Sequence, residues 1–462
     1  MHIAVLGGGP GGYAAAFEAA RLGADVTLIE RERLGGTCLN WGCVPAKTIL
    51  RSAHICADAR RAADYGLVPE QIAVDVDALR ARKERIVDEL VGQLEATAKR
   101  LKVRVVYGTG RMTARTTMEI DFAHGGSETL GADAVILATG SVVFRLPNID
   151  HDMDGVWTSD HAVALSEIPE DILIIGGGVI GLEFACAYAA FGSKVAVVEL
   201  MEQVLPGNDR RVVRVEQAAL EAMGVEFHLG TAVESVERRG ARMRSTLRNG
   251  VVLESDIVMS AVGRVPNSVG FGFEGIGLEF NRRAIKTDDH FRTNLDGVYA
   301  IGDLIGGMML AHVAEEEGVL AARNAVAEIA TVGPDAPLES MRYDCVPACV
   351  YTFPEVAVVG SSRDGAKERG IDAVQAVAKF AANGKALAEG DSDGFVQLVA
   401  EKGTGVIVGC QIVGPHAVEI IHEVSLAMAR GITVAEIAHT VHAHPTLSEV
   451  IKSAAADAEG KV

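Results

Sequence analysis

Two cysteines separated by four residues, Cys38 and Cys43, stand in the run Gly35-Gly36-Thr37-Cys38-Leu39-Asn40-Trp41-Gly42-Cys43-Val44-Pro45-Ala46-Lys47. Gly42 lets the backbone double back, and Val44-Pro45 opens a helix that continues through Lys47, Thr48, Ile49 and Leu50. Cys43 therefore falls at a helix N-terminus, where free N–H groups and the helix dipole favour a thiolate. Such placement lowers a cysteine pKa from about 8.5 toward roughly 3.5–7.5. A pair of this kind can switch between disulfide and dithiol, provided something exchanges electrons with it. Two plainer readings compete: a pair of structural thiols, or half of a metal site. A zinc site asks for a second pair of ligands at comparable spacing. The remaining cysteines (Cys56, Cys186, Cys345, Cys349 and Cys410) offer only Cys345-x3-Cys349, far along the chain beside Pro347. A redox pair is favoured, and no metal site is expected.

The elements that must position such a pair begin with two glycine fingerprints. His2 to Leu6 is an apolar strand that runs into Gly7-Gly8-Gly9-Pro10-Gly11-Gly12. An Ala-rich helix follows from Tyr13 to Leu22, and a second strand, Asp25 to Ile29, ends in Glu30. Read as G-x-G-x-x-G, the glycines are Gly7, Gly9 and Gly12, with the acid 18 residues beyond the last. Between a strand and a helix, this pattern offers N–H groups to a pyrophosphate and a carboxylate to a ribose. The same unit recurs as Gly176, Gly178 and Gly181 after the strand Asp171 to Ile175, with Glu199 again 18 residues beyond. Every glycine and the acid are displaced by the same 169 residues. Each copy also closes alike, Asp133 to Gly140 resembling Asp256 to Gly263.

A helix over about Val74 to Lys102 and a hairpin around Val103 to Asp121 separate these features in the first copy. Beyond the second lie Gly297 to Asp303, a strand ending in Gly-Asp, and a helix starting near Ala311-His312. Asp303 reads either as a helix cap or as a ligand-binding acid. From about Met341 the texture changes to alternating segments, Val356 to Val359 and Phe395 to Val399, and a late helix from Ala417 to Arg430. That is α+β patterning without a glycine fingerprint. Near the end stands His442-Ala443-His444-Pro445-Thr446-Leu447-Ser448-Glu449. Thr446 and Glu449 have capping-box spacing. Equally, an imidazole beside a carboxylate is what a dithiol needs to lose its protons near neutrality.

Composition bounds the function. A chain of 462 residues allows about three domains, and its 51 glycines suit nucleotide-binding turns. The net charge of −19 argues against nucleic acid and against an anionic membrane surface as partners. No apolar run approaches the ~18 residues of a membrane span. The first strand starts at His2, leaving no room for a signal or transit peptide, so a cytoplasmic, reducing location is expected. Seven cysteines in such a chain are not a disulfide framework.

Together these motifs resemble the pyridine nucleotide–disulfide oxidoreductases along almost the whole chain, and within them the branch that oxidises dihydrolipoamide. The features stand in that family's order: the Gly7 fingerprint, Gly-Gly-Thr-Cys38-x4-Cys43-x-Pro-x-Lys47, the Gly176 fingerprint, Tyr299-Ala-Ile-Gly-Asp303, Met309-Leu-Ala-His312, and His444-Pro-Thr-Leu-Ser-Glu449. The resemblance implies an α/β fold of two Rossmann-like dinucleotide-binding domains plus a C-terminal α+β dimerisation domain. Residues 1–141 and 266–340 would form the FAD-binding domain, 142–265 the NAD-binding domain and 341–462 the interface domain.

Residue roles follow from the resemblance in the same way. Glu30 would hold the adenosine ribose of FAD, Asp303 its ribityl chain, and N–H groups near Leu310, Ala311 and His312 the flavin pyrimidine. Lys47 would lie near flavin N5, paired with Glu183. Thr37, Gly110, Thr139, Gly140, Val179, Ile180, Val233, Gly263 and Arg264 would complete the cofactor contacts. Cys43 would be the flavin-proximal thiolate, in charge-transfer contact, and Cys38 the sulfur that exchanges with substrate. His444, oriented by Glu449 and preceding a cis bond to Pro445, would be the acid–base group and would serve the partner subunit of a homodimer.

The implied reaction is oxidation of protein-bound dihydrolipoamide with NAD+ as hydride acceptor. The implied partner is the lipoyl domain of a 2-oxo acid dehydrogenase or glycine-cleavage complex. Glu199 would repel a 2′-phosphate, and no arginine follows it, which favours NAD over NADP. Two alternatives stand beside this reading: a related NAD(P)H-dependent reductase of the glutathione- or mercuric-reductase kind, and a non-enzymatic flavin redox sensor or scaffold. Trp41, Gly307 and Phe353 depart from the commonest family residues and bear on substrate fit.

Overall fold

Short Val- and Ile-rich runs bounded by glycine turns, alternating with Ala-rich helices, dictate parallel strands covered on both faces. The computed structural model describes residues 1–68, 72–122, 124–331 and 336–462. The first layer of elements is β1 (His2–Leu6), α1 (Pro10–Arg21), β2 (Asp25–Glu30), α2 (Gly36–Asn40), α3 (Cys43–Arg60), α4 (Val76–Arg100), β3 (Arg104–Ala114), β4 (Thr117–Phe122), β5 (Ser127–Gly131), β6 (Ala134–Leu137) and β7 (Ser141–Val143). Next come β8 (Val156–Trp157), α5 (Ser159–Ala164), β9 (Asp171–Ile175), α6 (Val179–Phe191), β10 (Lys194–Val198), α7 (Arg210–Ala222) and β11 (Glu226–His228). They are followed by β12 (Val233–Arg239), β13 (Arg242–Leu247), β14 (Val252–Ser255), β15 (Ile257–Ser260) and β16 (Arg264–Pro266). The chain then forms β17 (Phe280–Asn281), β18 (Ala284–Ile285), β19 (Val298–Ala300) and α8 (Ala311–Ala330). The last part holds β20 (Ala348–Val350), β21 (Glu355–Gly360), α9 (Arg363–Glu368), β22 (Ala373–Lys379), α10 (Gly384–Glu389), β23 (Phe395–Glu401) and β24 (Ile407–Gly414). Helices α11 (Ala417–Arg430), α12 (Val434–His439) and α13 (Glu449–Glu459) close it.

The first sheet is ordered β19-β6-β1-β2-β3-β4-β5, so a strand from far along the chain returns to its edge. Its first five strands are parallel, with Ile3 opposite both Val26 and Ala134. The second sheet, β11-β10-β9-β15-β8, is parallel throughout, with Ile172 opposite Val195 and Ile257. The doubled sequence unit is thus a doubled fold, β1-α1-β2 repeating as β9-α6-β10. The third sheet, β20-β21-β24-β23-β22, is antiparallel and packs under α11 and α13.

One core cluster crosses the boundaries between these sheets. Ala46, Ile49, Leu50 and Ala53 of α3 meet Leu182, Ala185, Cys186 and Ala189 of α6, and the same cluster reaches Val350, Val356 and Val413 of the third sheet. Fully burying each Ile or Leu there contributes about 1.5–3 kcal/mol. This packing fixes α3, and with it Cys43 and Lys47, against α6. Helix α1 begins at Pro10 rather than Tyr13, because proline is pre-set for the first turn of a helix and the glycines after it are compatible with one.

Candidate active site

Cys38 lies in the one-turn helix α2 and Cys43 is the first residue of α3. The chain reverses between them at Gly42, where φ is −135°. A side chain there would sit 3.0 Å from Thr37 O and 3.4 Å from the Cα of Cys38. Close approach, not a left-handed backbone, is what requires glycine. The reversal brings the two thiols within hydrogen-bonding reach. The Cys38 S–H donates to Cys43, and this bond together with the Lys47 ammonium draws the Cys43 thiol down to about 7. The same bond, with burial, pushes the Cys38 thiol well up. Cys43 is therefore the thiolate of the pair and Cys38 the thiol.

Lys47 is one turn along α3 from Cys43. Its Nζ donates to both carboxylate oxygens of Glu183 on α6, at 2.9 and 2.8 Å. Glu183 is only 5% exposed and Lys47 30%. Tyr351, which sequence reasoning missed, completes the cluster. Its backbone N–H donates to Glu183 Oε1 at 3.1 Å, and its ring lies 4.4 Å from Lys47 Nζ. No motif announces it, because it enters through the third sheet.

Both glycine turns form cradles. Gly7 and Gly176 have φ of +107° and +109°. A Cβ on Gly12 or Gly181 would strike the carbonyl oxygen of Gly7 or Gly176, so the helix sits close against the turn. The N-caps Gly9 and Gly178 offer no side-chain cap, leaving the first N–H groups of α1 and α6 open to a pyrophosphate. Val179 and Ile180 open α6. Glu30 accepts from Gly8 N at 2.7 Å and Glu32 N at 2.8 Å; Glu199 accepts from Gly177 N at 2.7 Å and Met201 N at 2.8 Å. The two carboxylates are thereby fixed alike, each oxygen keeping capacity for a ribose hydroxyl.

Asp303 lies in a 3-10 turn, Gly302–Ile305, and caps no helix with its side chain; the N-cap of α8 is Leu310. Its carboxylate accepts from Ser141 Oγ at 2.5 Å, and Ser141 accepts from Arg264 Nε at 2.8 Å. Arg264 also donates to Ser141 O at 2.8 Å and to Thr37 Oγ1 at 3.5 Å. Ser141 is a second residue the sequence did not signal. Thr139 Oγ1 donates to Asn267 O at 2.7 Å, and Gly140 and Gly263 both have positive φ. Ala311 and His312 form the open first turn of α8, with the His312 ring 2.9 Å from Pro347 O. Val233 starts β12, its carbonyl accepting from Asn148. Gly110 lies within β3, where a Cβ would come 2.5 Å from Leu6 Cδ1.

His444 Nδ1 is 2.9 Å from Glu449 Oε1, and the His444–Pro445 bond is cis. The Thr446 N–H and the His444 ring hold the Glu449 carboxyl below the usual carboxylate range. The capping box is only half formed. Glu449 Oε2 accepts from Thr446 N at 2.8 Å, but Thr446 Oγ1 donates to Ala443 O instead of accepting from the helix. Helix α13 starts at Glu449 with Ser448 as N-cap, so Glu449 serves the histidine and the loop rather than a Thr446 cap. Among the described residues no cluster of His, Cys, Asp and Glu could hold a metal, and no helix is long and apolar enough to cross a membrane.

The residues thus fit two dinucleotides, one on each cradle. The family description "pyridine nucleotide-disulphide oxidoreductase" matches residues 1–318, and its dimerisation domain matches residues 346–455. The chain is 39% identical to a leghemoglobin reductase of Vigna unguiculata, over 98% of this chain and 86% of that one. It is 38% identical to the dihydrolipoyl dehydrogenases of Haloferax volcanii (100% and 96% covered) and Bacillus subtilis (99% and 96%). Its fold superposes on LpdA of Mycobacterium tuberculosis with a TM-score of 0.92 at 30% identity, covering 99% of each chain. The Escherichia coli disulfide reductase RclA, at 24% identity and a TM-score of 0.87, shares the fold. FAD and NAD are the cofactors of this oxidoreductase. The chain belongs to the pyridine nucleotide-disulphide oxidoreductases.

Proposed function

We propose that this enzyme oxidises dihydrolipoamide carried on the lipoyl domain of a 2-oxo acid dehydrogenase or glycine-cleavage complex, with NAD+ as final acceptor, and that it works as a homodimer. The observation that carries this reading is the polarised thiol pair. Cys43 is held as thiolate by Cys38 and Lys47, with His444 and Glu449 available as a proton acceptor. In the oxidised enzyme, Cys38 and Cys43 share a disulfide. His444 of the partner subunit takes the proton of one substrate thiol, and that sulfur attacks Cys38. The Cys38–Cys43 bond breaks, leaving Cys43 as a thiolate beside Lys47. His444 then passes the first proton to Cys38 and takes the proton of the second substrate thiol, whose sulfur displaces Cys38 as a thiol. The substrate departs as a cyclic disulfide, two electrons poorer. Bound FAD and NAD+ supply the two-electron sink that restores the enzyme disulfide.

On the binding side, the Gly7–Gly12 turn, Glu30, Ser141-Asp303 and the start of α8 would hold FAD, and the Lys47–Glu183 pair would serve its exchange of electrons with the thiols. The Gly176–Gly181 turn and Glu199 would hold NAD. No arginine directly follows Glu199 to receive a 2′-phosphate, since Leu200, Met201 and Glu202 stand there. Similarity to dihydrolipoyl dehydrogenases over the full chain supports the substrate. The leghemoglobin reductase among its relatives keeps a second reading open, NADH-driven reduction of another acceptor. The test is anaerobic NADH formation from dihydrolipoamide and NAD+. Wild-type enzyme forms NADH, and Cys43→Ser retains FAD but loses the activity. Undiminished activity in Cys43→Ser would overturn the mechanism. An enzyme that takes electrons from NADH but none from dihydrolipoamide would overturn the substrate.

A further inference from the structure

His442 is used by none of the steps above, yet it is the inward-facing residue of the loop that carries His444. Its side chain is 8% exposed, whereas the His444 side chain is 79% exposed and Val441 is 91% exposed. Both ring nitrogens meet acceptors: Nδ1 is 3.1 Å from Thr440 O, and Nε2 is 2.9 Å from Glu423 Oε1 on α11. The Glu423 carboxylate is an acceptor only, so the Nε2 N–H of His442 donates to it. Lys452 Nζ of α13 donates to the same Thr440 carbonyl at 2.8 Å. Cys410 on β24 lies in the electrostatic surroundings of Glu423, and Glu449 in those of His442.

The loop thus has two anchors. On one side His442 ties it to α11 and, through Thr440, to the end of α12. On the other, Thr446 is gripped by Glu449 through its N–H and by Asn383 Nδ2 through its carbonyl, at 2.8 and 2.9 Å. His444 is suspended between them. We propose that His442, clamped by Glu423, is a positioning residue that fixes His444 for proton transfer with the dithiol substrate. This inference rests on the dihydrolipoamide reading above.

The experiment uses FAD-loaded wild-type enzyme, His442→Gln, Glu423→Gln, His444→Gln and the double variant His442→Gln/His444→Gln. Anaerobic NADH formation from dihydrolipoamide and NAD+ is measured beside the rate at which NADH alone bleaches the flavin. Misplacing a proton acceptor by about 1 Å costs up to roughly a hundredfold. The dihydrolipoamide rate should therefore fall about tenfold to a hundredfold in His442→Gln and Glu423→Gln, while the NADH step, which needs no dithiol proton, stays within about twofold. Because His442 acts through His444, adding His442→Gln to His444→Gln should change the rate less than about twofold. Wild-type rates in His442→Gln overturn the inference alone. So does an equal loss of both steps or of FAD, which marks a general structural role, and so do additive losses in the double variant. A wild-type enzyme inert toward dihydrolipoamide overturns the functional reading and the inference with it.

Discussion

Two neighbours of different kind set the Cys43 thiol: a sulfur that donates a hydrogen bond and an ammonium that donates only charge. The second contribution can be removed cleanly. In Lys47→Met the Cys43 thiol should rise from about 7 by about one unit or more, since an opposite charge at this range shifts a pKa by about 1–3 units. Alkylation of the reduced enzyme by iodoacetamide, followed against pH, reads the midpoint directly. At pH 7 the variant should react more slowly and recover as the pH is raised, and Lys47→Arg should stay close to wild type. An unmoved midpoint in Lys47→Met would show that Cys38 alone sets the thiolate. Folding must be checked beside it, because the change leaves Glu183, 5% exposed, without its counter-charge. Breaking a buried pair of this type costs about 3–5 kcal/mol. Tyr351 lessens the isolation by donating its N–H to the same carboxylate.

At the scale of elements, helix α7 carries a group that its surroundings barely partner. Its buried face is Val212, Val213, Glu216 and Leu220, and it packs against β21 and β24. Glu216 is fully buried; neither carboxyl oxygen makes a well-formed hydrogen bond among the described residues, and the nearby Thr352 hydroxyl, which donates to Pro354 O, offsets the burial only in part. Burial pushes its pKa from 4.5 up to about 8. The folded protein therefore keeps this proton through a range in which the unfolded chain has lost it. Stability is fully present below about pH 4.5 and is lost as pH rises toward 8, beyond which this group changes it no further. The shift corresponds to about 4–5 kcal/mol at ~1.36 kcal/mol per unit. Glu216→Gln stays neutral, so its denaturation midpoint should fall less than that of wild type between pH 5 and pH 9 (about the window of the shift). Parallel falls would mean that other groups carry the dependence.

Elements of this sort also mark what was legible in the sequence. The helix Ala417–Arg430 and the repeated β-α-β units follow from apolar period and glycine position, and the structure has them. Helix α2 was not foreseen, because five residues with one glycine at the start carry no periodicity. The motif His444-Pro-Thr-Leu-Ser-Glu449 offered two readings: the capping box is only half formed, while the expected contact between His444 and Glu449 is present at 2.9 Å. Ser141, Tyr351 and Glu423 were missed because no local pattern encodes their contacts. Each meets its partner across more than one sheet or helix boundary, at sequence separations set only by the fold.

For the whole molecule, duplication supplies two cradles, α2 and α3 carry the thiols, and the C-terminal part carries His444 and Glu449. His444 is 79% exposed, and its side-chain bond goes to Glu449, while Cys38 and Cys43, in α2 and at the start of α3, are partly buried. The match of residues 346–455 to a dimerisation domain supports a second copy bringing its His444 to these thiols. Complementation tests this arrangement. Cys43→Ser and His444→Gln homodimers should each be nearly inactive with dihydrolipoamide. A heterodimer of the two, isolated through different tags on its subunits, places both lesions at one site and neither at the other. It should regain about half of the wild-type activity per dimer, with full FAD content. A heterodimer as inactive as its parents would place thiols and histidine of a working site on the same chain. The mixed dimer therefore separates a site shared between subunits from one built within each.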